Sequence, residues 1–308
     1  MRTHWGDCVV SDAHIHFFSR RFFEALATQA AQTSDAIASA LRWELPPADP
    51  VELGARWAQE LDAHGLECAA LIASIPGDES SVMAAAAKRQ DRFFAYAMVN
   101  PLAENPPSLS GLHALCLFPA MHGYFMHDPR VEVLLEEATV QGSLVFVHCG
   151  VLTVGVRKKL GLPSPFDMRY SNPIDLHATA LRHANLNIVV PHFGAGYFRE
   201  ALMLADLCPN VYLDTSSSNH WMQYEGLDLK TVFRRSLDVA GASRLLFGTN
   251  SSFFPRGWNA AVFEQQTQAL ADLGISSADA RLVLGGNLRR LTDAVRPGIA
   301  HARSPNPP

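Results

Sequence analysis

The chain has 308 residues, 48% of them hydrophobic and 18% charged, which is the composition of a globular protein with ample core. Its formal net charge of −5 argues against a nucleic-acid surface or a basic membrane-binding face. No run approaches a transmembrane helix and Met1–Asp7 lacks a long apolar segment, so neither a membrane span nor a secretory signal is expected.

Eight short apolar runs follow one another along the chain, at 8–16, 67–74, 93–99, 112–118, 144–149, 187–192, 210–215 and 244–249. Most are nearly continuous, as in parallel strands buried on both faces. Helical patterns lie between many of them, at 50–64, 78–90, 130–141, 173–185, 196–207, 228–240 and 258–273. Pro50, Asp128-Pro129 and Asn172-Pro173 mark three helix starts. Eight β/α alternations predict an α/β protein, a (β/α)8 TIM barrel of one domain over 1–295. A doubly wound sheet is the alternative, but it asks for a glycine-rich turn after the first strand, where this chain has His16-Phe17-Phe18.

Three segments depart from a minimal barrel. Residues 17–49 form a helical insertion after strand 1, read either as a lid walling the pocket or as an oligomer contact. Residues 150–172 form a second long loop, carrying Arg157, Lys158 and Lys159. The tail from Arg296 to Pro308 is proline-rich and expected to be mobile. The five cysteines, odd in number and far apart, read as reduced core thiols of a cytoplasmic protein.

The chemistry sits at strand ends, which in such a barrel share one mouth. Strand 1 ends in Asp12-Ala13-His14-Ile15-His16; a period of two puts His14 and His16 on one face, half of a metal site. Strand 5 ends at His148, with Cys149 facing the other way and therefore no ligand. Strand 6 ends at His192, and strand 8 runs into Gly248-Thr249-Asn250. His4, His64, His177, His183 and His301 scatter and read as surface or helix residues. Any one strand-end histidine suits a structural role; four at three strand ends in barrel order point to a metal centre.

These motifs, together with Pro191-His192-Phe193-Gly194-Ala195, Phe247–Pro255 and the closing Leu284–Leu291, resemble the amidohydrolase superfamily. They are most similar to its amidohydrolase-related branch, which includes aminocarboxymuconate-semialdehyde decarboxylase and the resorcylate-type decarboxylases. The resemblance spans residues 9–291. It implies one divalent metal, usually zinc, held by His14, His16 and His148, with His192 as an acid/base group, and pairing of chains as a dimer. The lysine that other branches place at the end of strand 4 is absent from Leu117-Phe118-Pro119, as in mononuclear relatives. The branch has an aspartate at the strand 8 position, as ligand and general base, where this chain has Asn250. An amide is neutral and cannot act as a base, and losing a base typically costs ~10²–10⁴ in rate. Two explanations stay open, an inactivated variant and a chain that has changed its chemistry.

The expected activity is metal-dependent hydrolysis of a small cyclic or aromatic amide, ester or lactone, weak as written because of Asn250. The alternatives are non-oxidative decarboxylation of an aromatic or muconate-like acid, and a non-catalytic ligand-binding descendant. Phe17, Phe18, Trp43, Trp221, Phe253, Phe254 and Trp258 are candidate pocket walls. Arg256 is the foremost candidate to bind a substrate carboxylate, with Arg157 and Arg199 behind it. His220, after strand 7, is a weaker mouth candidate.

Overall fold

The computed structural model describes residues 1–217 and 219–295, so the tail expected from Arg296, with His301, lies outside them. After a small hairpin that pairs Arg2–Thr3 with Gly6–Asp7, eight parallel strands follow in barrel order: β1 (Ser11–Phe17), β2 (Cys68–Ala73), β3 (Phe93–Met98), β4 (Ala114–Leu117), β5 (Leu144–Val147), β6 (Ile188–Val190), β7 (Val211–Asp214) and β8 (Leu245–Leu246). Each pairs with the next in sequence. The sheet closes past the end of β8, where Ile15 bridges Ser251 and the Ala13 amide donates to the Phe247 carbonyl at 2.8 Å. This is the (β/α)8 barrel expected from the alternation.

The strands are buried on both faces and divide their side chains by parity. Ala70, Ile72, Tyr96, Cys116 and Phe146 fill the lumen. Leu71, Ala95, Leu115, Val145 and Leu213 pack outward under the helices. Leu288 and Leu291 of the last helix, Asn287–Asp293, join the lumen cluster. All five cysteines are buried and unpaired. Among the described residues no helix is long and apolar enough to cross a membrane.

Several strands are shorter than the apolar runs that predict them. The run 187–192 ends its ladder at Val190, because Pro191 has no N–H to give and His192 and Phe193 turn left-handed, at φ 55° and 54°. The run 144–149 stops at Val147, and Gly150 turns at φ 77°. There the Val151 amide donates to the Ala195 carbonyl at 2.7 Å. A Cβ on Gly150 would fall on the carbonyl oxygens of Gly194 and Ala195. The glycines of the two motifs thus let the β5 and β6 turns lie against each other and aim His148 and His192 into one space.

The insertion folds as two helices, Arg20–Ala30 and Ser34–Leu41, each capped by a hydroxyl, from Ser19 and Thr33. They build a small core of their own around Phe22, Phe23, Leu26, Ile37 and Leu41. The long loop after β5 joins that core through Val154, Val156, Leu160 and Leu162.

Candidate active site

At the mouth of the barrel a cavity of about 290 Å³ is lined by His14, His16, His148, His192 and Asn250. Met98, Phe118, Met121 and Phe146 are also among its walls, with Phe18, Phe22 and Trp43 from the insertion and Val151–Val156 with Lys159 from the β5 loop. Ser252 and Arg256 follow β8 along the rim.

The two β1 histidines face each other, Nε2 to Nε2 at 3.4 Å. Their protons can be placed from their other partners. His14 Nδ1 lies 2.8 Å from Asp214 Oδ2. Burial alone would raise the Asp214 carboxyl, but its contact with His14 outweighs this and holds the group below its usual range. An ionised carboxylate only accepts, so His14 Nδ1 donates, and in the neutral ring Nε2 keeps its lone pair. His16 Nδ1 lies 2.8 Å from Ser74 Oγ, whose hydroxyl donates to the Ile72 carbonyl at 3.1 Å. The serine oxygen therefore accepts from His16 Nδ1, and His16 Nε2 is a lone pair as well.

Two lone pairs turned on each other at this distance repel unless a cation lies between them. Two nitrogens of a tetrahedral zinc site are ~3.3–3.4 Å apart for Zn–N bonds of ~2.0–2.1 Å, so the pair fits a metal. Burial, with the neighbouring histidines, holds His16 and His148 well below the ordinary imidazole value, and so neutral and able to ligate. His148 stacks on Phe118 with ring centroids 5.4 Å apart, and its buried Nδ1 has no partner. Among the described residues, however, no three His, Cys, Asp or Glu side chains are already gathered as a metal-holding group. The structure brings His14 and His16 together and puts His148 in the same cavity without drawing it into the pair.

His192 sits 5.0 Å from His14 and 5.4 Å from His148, centroid to centroid. Its Nδ1 approaches the Ser216 carbonyl at 3.1 Å and Ser216 Oγ at 2.9 Å. The carbonyl fixes Nδ1 as the donor and leaves Nε2 as the free lone pair. Burial pushes this imidazole down to about 4. Asn250 adopts a left-handed backbone, φ 58°, which Asn and Asp tolerate better than other residues. Its Nδ2 donates to the Ser217 carbonyl at 2.8 Å.

Other expected site residues fall elsewhere. Phe17 is fully buried in the outer core, since it alternates with His16 and points under the helices. Trp258 is buried behind the site, where its Nε1 donates to Asp12 Oδ2 at 2.8 Å. His220 is exposed and outside the cavity lining. Phe253 stacks on the back of Trp43 at 4.1 Å, Phe254 packs on Trp57, and Trp221 packs on Phe198. Arg199 pairs with Glu200 on the surface, and Arg157 is bound to the Pro163 carbonyl and to Gln29.

Four supporting residues went unassigned from sequence: Ser74, Asp214, Ser216 and Asp12. Asp12 is fully buried and accepts from the amides of His14 and Thr249, the Thr249 hydroxyl and the Trp258 indole. It staples β1 to the loop after β8 that carries Asn250. Two signals were present. Asp12 precedes His14 by two residues, and Asp214 closes β7 with a carboxylate at the mouth end.

The amidohydrolase family model matches residues 11–292, and the chain belongs to that family. A curated relative, protein fluG of Emericella nidulans, is 33% identical over 85 residues, 28% of this chain and only 10% of that protein. Among solved structures, a mutant 5-carboxyvanillate decarboxylase of Novosphingobium aromaticivorans with bound manganese and a nitrobenzoic acid superposes with a TM-score of 0.64 at 14% identity, covering 94% of this chain and 98% of that one. A putative 2-pyrone-4,6-dicarboxylic acid hydrolase of Pseudomonas putida gives 0.59 at 17% identity, over 94% and 98%. An amidohydrolase of Burkholderia multivorans with bound zinc gives 0.59 at 16% identity, over 92% and 99%. Structural neighbours thus include a decarboxylase and a putative pyrone hydrolase, and two of the three hold manganese or zinc.

Proposed function

We propose that this amidohydrolase is a metal-dependent carboxy-lyase that removes CO₂ from a small aromatic or cyclic carboxylic acid without an oxidant. One observation carries the reading. The cavity is lined by four histidines, Asn250, Lys159 and Arg256, and by no aspartate or glutamate. Such a surface favours an anionic substrate, and it lacks the carboxylate that general-base hydrolysis would use. Decarboxylation needs no such base. The electron pair of the C–C bond passes to the ring, CO₂ departs, and a proton takes its place on carbon.

His14, His16 and His148 would hold the metal, with zinc favoured by three imidazole nitrogens. When bound, that ion supplies positive charge that anchors the substrate's carboxylate side and stabilises negative charge developing on the ring. Phe18, Phe22, Trp43, Phe118 and Phe146 offer apolar walls to a planar ring and exclude water around it. Arg256 is the rim cation for an anionic substituent. His192 Nε2, unprotonated at rest, would relay a proton from water to the carbon that loses CO₂, with the ring orientation fixed through Nδ1 on Ser216. Asn250, tied back to the Ser217 carbonyl, shapes the site without adding charge.

Hydrolysis of a cyclic ester is the second reading, and His192 favours it. An imidazole held near 4 is unprotonated at neutral pH and can take a proton from water in place of an absent carboxylate. The test is a panel of hydroxybenzoates and pyrone carboxylates with zinc or manganese, followed for CO₂ release and for incorporation of ¹⁸O from water. CO₂ without ¹⁸O in the product is expected, and His192→Ala should slow it by about 10²–10⁴. Ring opening with ¹⁸O uptake and no CO₂ overturns the carboxy-lyase.

A further inference from the structure

We infer that Lys159 is a specificity-determining residue that selects substrates with a second negative group at the cavity wall formed by the β5 loop and Trp43; the inference rests on the anionic-substrate reading above. Lys159 ends the short helix Gly155–Lys159 in the β5 loop. Gly155, Val156 and Lys159 all line the cavity; Lys159 lies four residues after Gly155 and three after Val156, the two spacings that put helical neighbours side by side.

The orientation of this helix is fixed from behind. Val156 is buried in the core of the insertion with Phe22, Phe23 and Ile37. Arg157 ties the helix to Gln29 of the insertion and closes its own loop on the Pro163 carbonyl at 2.7 and 2.9 Å. The lysine is therefore presented by two loops docked on each other.

Its neighbours show what it offers. Lys159 Nζ stands 5.9 Å from the Trp43 ring centre, and Trp43 stacks on Phe253 at 4.1 Å. Arg256 lies 4.5 Å over Phe253 and already donates to Ser252 Oγ at 3.0 Å. Two cations thus border one aromatic slab at the rim, and the cavity lining holds no carboxylate to neutralise them. Of the two, Lys159 has no hydrogen-bond partner among the described residues, so its three donors are free for an anion. A planar acid held by one carboxylate at the histidines would bring a second carboxylate along the slab to this ammonium.

The probes are benzoate and isophthalate, which differ by one carboxylate. Affinities of the zinc-loaded protein are read by calorimetry and by quenching of tryptophan fluorescence. Isophthalate should bind about fivefold tighter than benzoate, the upper range for one partly exposed charge pair. The ratio should fall to about one in Lys159→Met and persist in Lys159→Arg. It should also persist in Lys158→Met, which removes the same charge from an exposed neighbour outside the cavity lining. A ratio unmoved in Lys159→Met, with benzoate still bound, overturns the role of Lys159 alone. Failure of the parent protein to bind benzoate at all overturns the anionic-substrate reading, and the role of Lys159 with it.

Discussion

Replacing Asp214 by asparagine tests the lone-pair geometry on which the metal assignment stands. The change is isosteric, and its outcome follows from which way the new amide must face. Asp214 Oδ1 accepts from the Ser216 backbone amide at 2.5 Å, and Oδ2 accepts from His14 Nδ1 at 2.8 Å. A backbone N–H can only donate, so in Asp214→Asn the side-chain amide oxygen is pinned at the Ser216 side. The NH₂ of that amide is then turned on His14 Nδ1, which must become an acceptor. The imidazole proton moves to Nε2 and points at His16 Nε2, 3.4 Å away, the space assigned to the ion. Metal binding then has to displace that proton. Loss of an orienting partner of this kind typically costs ~10–100-fold in metal affinity, so zinc should bind about 30-fold more weakly by chelator competition. In the metal-free protein, ¹⁵N spectra should show His14 protonated at Nδ1 in the parent and at Nε2 in the variant. Zinc affinity within threefold of the parent, or a retained Nδ1 proton, would refute the tautomer argument and the metal assignment built on it.

Two further predictions concern the frame of the site. Burial raises the Asp12 carboxyl from 3.8 to about 6, against four hydrogen bonds that lower it. Because the folded-state value lies above the unfolded one, the stabilisation is complete below pH 3.8 and is lost as pH rises through 6. That amounts to about 3 kcal/mol at 1.36 kcal/mol per unit. Urea unfolding of metal-free protein between pH 4 and 7 should therefore show Asp12→Asn gaining about 3 kcal/mol relative to the parent across that window, and parallel curves would refute it. Gly150→Ala places a methyl on two carbonyl oxygens at a positive φ. It should lose about 3 kcal/mol or more of stability and separate the β5 and β6 turns. A variant with parental thermal stability would mean that the two turns are not locked together.

The barrel was legible because its signal is local. Continuous apolar runs separated by helical periods report strands buried on both faces, and the four strand-end histidines lie where those runs stop. The exact strand ends were not legible, since Pro191, the left-handed His192 and Phe193, and Gly150 break the ladder while staying as apolar as a strand. The Phe17 expectation failed on information the sequence already held. Residues 16 and 17 of one strand cannot both face the lumen. The Trp258 expectation failed for a different reason, because its indole is turned by a hydrogen bond to a residue 246 positions away. Asp214 and Ser74 act through partners 200 and 58 positions distant, and Ser216 through His192, 24 positions away. Nothing in a linear pattern joins a serine to the imidazole whose tautomer it fixes.

The distribution of charge around the site is the strongest argument for the proposed chemistry. Two carboxylates stand close to the histidines, but neither lines the cavity. Asp214 is occupied by His14 and Ser216. Asp12 is occupied by Thr249, Trp258 and the His14 amide. Their negative charge orients groups from behind and is unavailable for proton abstraction at the substrate. The cavity face presents four imidazoles, one amide and two rim cations. An aspartate at position 250 would add a base and cancel one positive charge of a bound ion; Asn250 does neither. A site of this kind holds a dication and an organic anion together more readily than it activates water, because the substrate's own carboxylate supplies the negative charge that the protein withholds. Hydrolysis on the same scaffold would have to route its proton through His192, the cavity imidazole left outside the proposed ligand set. The ¹⁸O experiment therefore separates two uses of a single imidazole, as a donor to carbon or as an acceptor from water.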